Sequence, residues 1–168
     1  VGKSTAAEAL HDLLVGADVR HAVIEGDLLD LAHPAPHAEH PEAHLAERNL
    51  AAMWARYREL GHHRLVFTNT VSVLEHEHLA AAMGDDPVVT VVLLRAGDDV
   101  TAERLTRRAG GVPPDAQVAH SARTARRLDS ATADTVTRVD TDTMAPADVA
   151  RRLAMLTGWV TGRSTLGA

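Results

Sequence analysis

Apolar positions along the chain alternate between two rhythms. In "KSTAAEALHDLLV", Ala6, Leu10, Leu13 and Leu14 recur at helical spacing, which predicts a helix from Lys3. "VRHAVIEGD" is a short apolar run that predicts a strand ending at Gly26-Asp27. Pro34 and Pro36 break the following "LLDLAHPAPHAEH" into loop or short turns. Pro41 suits the first turn of a helix running through "PEAHLAERNLAAMWARYRELG", which Gly61 can close. "HRLVFTNT" predicts a second strand, "VLEHEHLAAAMG" a helix, and Asp85-Asp86-Pro87 a turn. "VVTVVLLR", dense in valine and leucine, is the strongest strand signal and suits burial in a parallel sheet.

The second half keeps the alternation. "DDVTAERLTRRAG" and "AQVAHSARTARRLDSA" predict two helices separated by "GVPPD". "TVTRVDT" predicts the last strand and "MAPADVARRLAMLTGWV" the closing helix, with Pro146 near its start. The tail "TGRSTLGA" is expected to fray. Strands and helices in this order argue an α/β protein: a parallel sheet covered on both faces and reached by right-handed crossovers. Trp54 and Tyr57, at helical spacing, are expected in the core, and Trp159 is expected to pack the last helix.

Composition narrows the function. The 168 residues, 45% of them apolar, suffice for one globular domain with a real core, taken here as 1–168. A formal net charge of -6 disfavours a general nucleic-acid groove. Without cysteine there is neither a disulfide nor a thiolate zinc site. No stretch approaches eighteen uninterrupted apolar residues, so a soluble cytoplasmic protein without a membrane partner is the expectation.

The chemistry begins at the first helix. "GKST" is the second half of the phosphate-cradling motif G-x-x-x-x-G-K-[ST]. Phosphates need donors, and a loop entering a helix N-terminus supplies unpaired N–H groups and a favourable dipole. Gly2 permits the turn, Lys3 can reach the β- and γ-phosphates of ATP, the Ser4 hydroxyl can ligate Mg2+, and Thr5 can add an α-phosphate contact. The first half of the motif and its strand are expected upstream of Val1.

With "VIEGDLLD" after the next strand, "RLTRR" on a later helix and "VDT" after the last strand, the chain resembles the P-loop small-molecule kinases, the group of adenylylsulfate, gluconate and shikimate kinases and chloramphenicol phosphotransferase. The resemblance spans the whole chain. It implies a three-layer fold with sheet order 2-3-1-4-5, strand 1 lying upstream of Val1, and a helical lid over residues 104–127. It implies ATP and Mg2+ as cofactors and a small-molecule hydroxyl as acceptor.

On that reading Asp27 orients the acceptor hydroxyl and takes its proton, or else caps the turn into "LLDL". Asp30 lies close enough to help. The strand "LVFTNT" offers no carboxylate for a metal shell, and Asn69 is read as a substrate contact or a strand cap. Arginine forks stabilise charge in phosphoryl transfer. The resemblance implies Arg104 near adenine or the phosphates and Arg108 nearer the transferred group, with Arg123 and Arg127 across the lid; a solvated helix face is the alternative for each. Thr141 and Thr143 are expected beside the adenine, with Asp142 or Thr143 also eligible to cap the last helix. His33, His37, His40 and His44 follow Asp27 and are expected around the acceptor, with Arg48 and Asn49 on the next helix. Two other readings stay open: an ATP-binding regulatory or switch module, and a nucleic-acid end kinase.

Overall fold

The computed structural model describes residues 2–111 and 115–160. The centre of the expected "GVPPD" interruption and the "TGRSTLGA" tail lie outside them. Among the described residues, seven α-helices and four strands alternate as the apolar rhythm requires: α1 Lys3–Gly16, β1 Ala22–Glu25, α2 Pro36–Glu39, α3 Leu45–Glu59, β2 Leu65–Thr68, α4 Ser72–Met83, β3 Val92–Arg95, α5 Asp98–Ala109, α6 Asp115–Ala131, β4 Thr137–Asp140 and α7 Pro146–Thr157.

All pairing among these strands is parallel, in two separate two-stranded sheets. β1 runs beside β2 with Ala22 opposite Leu65, and β3 beside β4 with Val92 opposite Thr137. These are the outer pairs that an order of 2-3-1-4-5 contains. The five-strand sheet itself is not present among the described residues, and no ladder joins β2 to β3 there.

One core lies between α1 and α7, where Leu10 and Leu14 meet Ala150 and Ala154 and Trp159 packs against them. The small alanines let the helix backbones approach, which suits close-packed interiors. A second core gathers Val73, Leu93, Leu128 and Val136. Trp54 and Leu50 are buried on α3, while Tyr57 is half-buried, its ring edge-on to His62.

Three expectations need correction. "VVTVVLLR" is strand only from Val92: Val88 is wholly exposed and Val89 half-exposed, and an apolar run extends only as far as β4, with four residues, can pair it. The helix expected from Pro41 starts at Leu45. Pro41 opens a 3₁₀ turn instead, and His44, at φ 44°, breaks the path between the two because left-handed backbone cannot continue a right-handed helix. Asp142 and Thr143 do not cap α7, whose Ala145 N–H donates instead to the Asp148 carboxylate. Asp142 accepts from Gly97 N–H at the head of α5 (2.8 Å).

Two local arrangements, one steric and one polar, fix the sheet ends. Gly26 opens a 3₁₀ turn after β1. A Cβ there would overlap the Phe67 ring and stand 2.9 Å from the Thr68 carbonyl oxygen. Overpacking of this kind costs about 1–3 kcal/mol, so Gly26→Ala is expected to lower the unfolding free energy measured in urea by that amount and to shift the Asp27 amide resonance. A variant with unchanged stability and spectrum would show that β2 yields freely. At the other sheet, Arg138 of β4 collects the C-terminal end of α6. Its guanidinium donates to the Asp129 carboxylate (3.1 Å) and to the carbonyls of Asp129 (3.2 Å) and Thr132 (2.9 Å), supplying donors that a helix end otherwise lacks.

Candidate functional site

The candidate residues gather where the strands end. In open parallel sheets, the loops leaving the carboxyl ends of strands bind ligands, because helix N-termini converge there. Asp27 leaves β1, Asn69 and Thr70 leave β2, Gly97 leaves β3 and Thr141 leaves β4.

α1 supplies the candidate phosphate end. Gly2 precedes it at φ 95° and ψ 1°, a conformation glycine adopts without strain, and no side chain caps the helix. Its first-turn N–H groups are therefore available to an anion. The Ser4 and Thr5 side chains are exposed on that turn, and Lys3 is half-buried.

The Lys3 ammonium spans from this turn to the ends of β1 and β2. Its Nζ lies 3.4 Å from Asp27 Oδ2 and donates to Thr70 Oγ1 at 3.2 Å. Thr70 holds the carboxylate at both oxygens: its N–H donates to Oδ1 (2.8 Å) and its hydroxyl to Oδ2 (3.1 Å). A carboxylate gripped this way cannot rotate freely. Thr70 is absent from the sequence expectations, because "TNT" at a strand exit reads as turn polarity and its partner lies 43 residues away. Asp27 does not spend itself capping its own turn: no side-chain cap is formed on Gly26–Leu28.

Beside Asp27 opens a cleft of about 470 Å3 between the α2–α3 segment and the start of α4. Asp30, Asn69, His37, His40 and His44 line it; Arg48 and Asn49 do not. Asn49 instead donates to the Leu29 carbonyl (2.6 Å), holding the segment after Asp27, and Arg48 stands outside the cleft wall. The Asn69 side-chain oxygen accepts from Val71 N–H (2.7 Å), a strand-exit turn.

On the other flank, Arg104 is fixed by two bonds to Thr141, one to the hydroxyl (2.9 Å) and one to the carbonyl (2.6 Å). Thr141 is buried and its hydroxyl donates to the Arg95 carbonyl (2.9 Å). Arg104 Nη1 also lies 3.8 Å from where a Gly2 Cβ would sit, so the guanidinium borders the turn at the head of α1. Arg108, one turn further along α5, is exposed, as are Arg123, Arg127 and Thr143. Arg126 reaches Asp98 of α5 at 3.2 Å. The sequence pairs Arg104 with Arg108 by spacing; packing sends only Arg104 to the strand ends.

The donor set tests the expected cofactors. An uncapped helix start with a left-handed glycine, an ammonium and an exposed hydroxyl fits a nucleotide phosphate chain. For magnesium the fit is narrower. Among the described residues no group of three or more His, Asp or Glu side chains could hold a cation, so magnesium would rest on the exposed Ser4 hydroxyl, oxygens brought by the nucleotide and at most one or two carboxylates. No helix among the described residues is long and apolar enough to cross a membrane.

Neither a scan against protein-family models nor a search of curated proteins finds a match to this chain. Among solved structures it is similar to the tunicamycin resistance protein of Deinococcus radiodurans, with a TM-score of 0.63 and 25% identity over 94% of this chain and 90% of that one. The likeness extends the α/β architecture over nearly the whole length of both.

Proposed function

We propose that the chain is an ATP-dependent phosphotransferase that moves the γ-phosphoryl group to a hydroxyl of a small molecule. One observation carries the reading: Lys3, at the uncapped start of α1, stands 3.4 Å from Asp27, a carboxylate that lines the cleft. The phosphate end and the acceptor end of an in-line transfer therefore meet at one pair of side chains.

Each residue then has a task. The N–H groups of the α1 turn and Lys3 hold the phosphates and offset charge as it builds on the transferred group. Asp27, fixed by Thr70, accepts the acceptor's proton while the acceptor oxygen bonds to phosphorus and the bond to the ADP oxygen breaks. Arg104 borders the turn and Thr141 fixes it there, on the nucleotide side. Magnesium, when bound with the nucleotide at Ser4, supplies further charge neutralisation.

The likeness to a tunicamycin resistance protein makes that antibiotic the first acceptor to try, beside sugars, nucleosides and other hydroxylated antibiotics. The test incubates the protein with ATP and each acceptor and reads ADP release and a phosphorylated product by mass spectrometry. One member is expected to gain a phosphoryl group. ATP binding with no transfer to any of them would replace this reading with that of a nucleotide-binding regulatory module.

A further inference from the structure

Resting on that reading, we infer that the acceptor carries no anionic group, and that the cleft favours hydroxylated molecules bearing an amine. The cleft is walled by the carboxylates of Asp27, Asp30, Glu47 and Glu75, and no lysine or arginine is among the described residues that line it. Its other titratable groups are the imidazoles of His37, His40 and His44. Two of these already face wall carboxylates, His37 Nδ1 at 3.9 Å from Asp30 and His44 Nδ1 at 3.7 Å from Glu47. His40 turns to Glu42 at 3.6 Å. The nearest ammonium, Lys3, is paired with Asp27 and bonded to the Thr70 hydroxyl.

An acceptor with a carboxylate, sulfate or phosphate would thus enter a pocket walled by four carboxylates, with no lysine or arginine in the described wall to receive it. Repulsion between like charges at such short range is substantial when solvent is partly excluded, and recognition of oxyanions ordinarily uses arginine forks, which are missing from the described wall. An ammonium would meet Glu47 and Glu75 instead. Hydroxyls find imidazole, carboxylate and the Asn69 carboxamide, groups that serve as donors and acceptors.

The probes are glucosamine, glucose and glucuronate at millimolar concentration, each titrated into the 15N-labelled protein. Amide shifts at Asn69, Thr70 and Glu47 are the readout, and ATP shifts at Gly2–Thr5 are followed in a separate titration. Glucosamine is expected to bind at least about threefold more tightly than glucose, with glucuronate weakest, and the glucosamine preference should shrink as salt screens it. In Glu47→Gln/Glu75→Gln, whose fold the same spectrum reports, the preference should fall to near parity. Glucuronate binding as well as glucosamine, or none of the three shifting these amides, overturns the inference. If ATP leaves Gly2–Thr5 unmoved, the kinase reading fails instead, and the order of the three sugars still decides the charge of the cleft.

Discussion

Asp27→Asn lowers phosphoryl transfer by about 10²–10⁴-fold, the usual contribution of a general base, while nucleotide affinity stays nearly constant. The substitution is conservative where it matters for structure. The carboxamide oxygen it introduces can keep the Thr70 N–H bond, and the Thr70 hydroxyl can turn to accept from the new amide. What disappears is the proton acceptor and the partner of Lys3. Freed from that pair, the ammonium is if anything better disposed toward phosphate. Steady-state transfer to the acceptor found by the panel, with calorimetric ATP affinity for both proteins, is the measurement. Equal transfer rates would reduce Asp27 to an ion-pair partner. A large loss of ATP affinity would move it into the metal shell, which the end of β2 leaves without a carboxylate.

Lys3→Ala is expected to act on both binding and chemistry. Removing a preorganised donor to developing charge costs roughly 10²–10³-fold in turnover. A lost hydrogen bond to a charged group is worth about 1.5–3 kcal/mol, so ATP affinity should fall by about tenfold or more. Stability should hardly move. The Lys3 and Asp27 side chains are 33% and 38% exposed, and water-screened pairs contribute little. Titration calorimetry and thermal melting separate these effects. A folded variant with unchanged ATP affinity and turnover would remove the basis of the proposed activity.

How much of this was legible in the sequence depends on how local each cause is. The α1 stripe of Ala6, Leu10, Leu13 and Leu14 is read from spacing alone; three of the four are buried and Leu13 is half-buried. The stop at Gly110 is also local: its φ of 66° is a conformation that glycine supplies. Boundaries set by a distant partner were not readable. Val88 looks like Leu93 in sequence, and only the four-residue length of β4 separates the exposed valine from the buried leucine. The break at His44 was hidden because histidine carries no strong signal for left-handed backbone. In the site, Asp27 was visible from its position after an apolar run. Thr70, Gly26's contact with Phe67 and the Arg104–Thr141 pair each depend on chain segments that meet only in the fold.

The grip of Arg138 on the end of α6 has a mechanical consequence. That helix is 17 residues long, a rod of about 25 Å, and its Arg138 clamp and its buried residue, Leu128, are both toward one end. Further along the rod, the Arg126–Asp98 contact is between side chains each 65% exposed and yields readily. A tilt of α6 that keeps this clamp is a swing about its C-terminal end. For a tilt of about 10°, the tip near Asp115 travels roughly 4 Å, while Arg123, nearer the pivot, travels roughly 2 Å. Arg127, closer still to the fulcrum, moves least. Of the exposed arginines on this helix, Arg123, the farthest from the pivot, is the one whose position such a swing adjusts most.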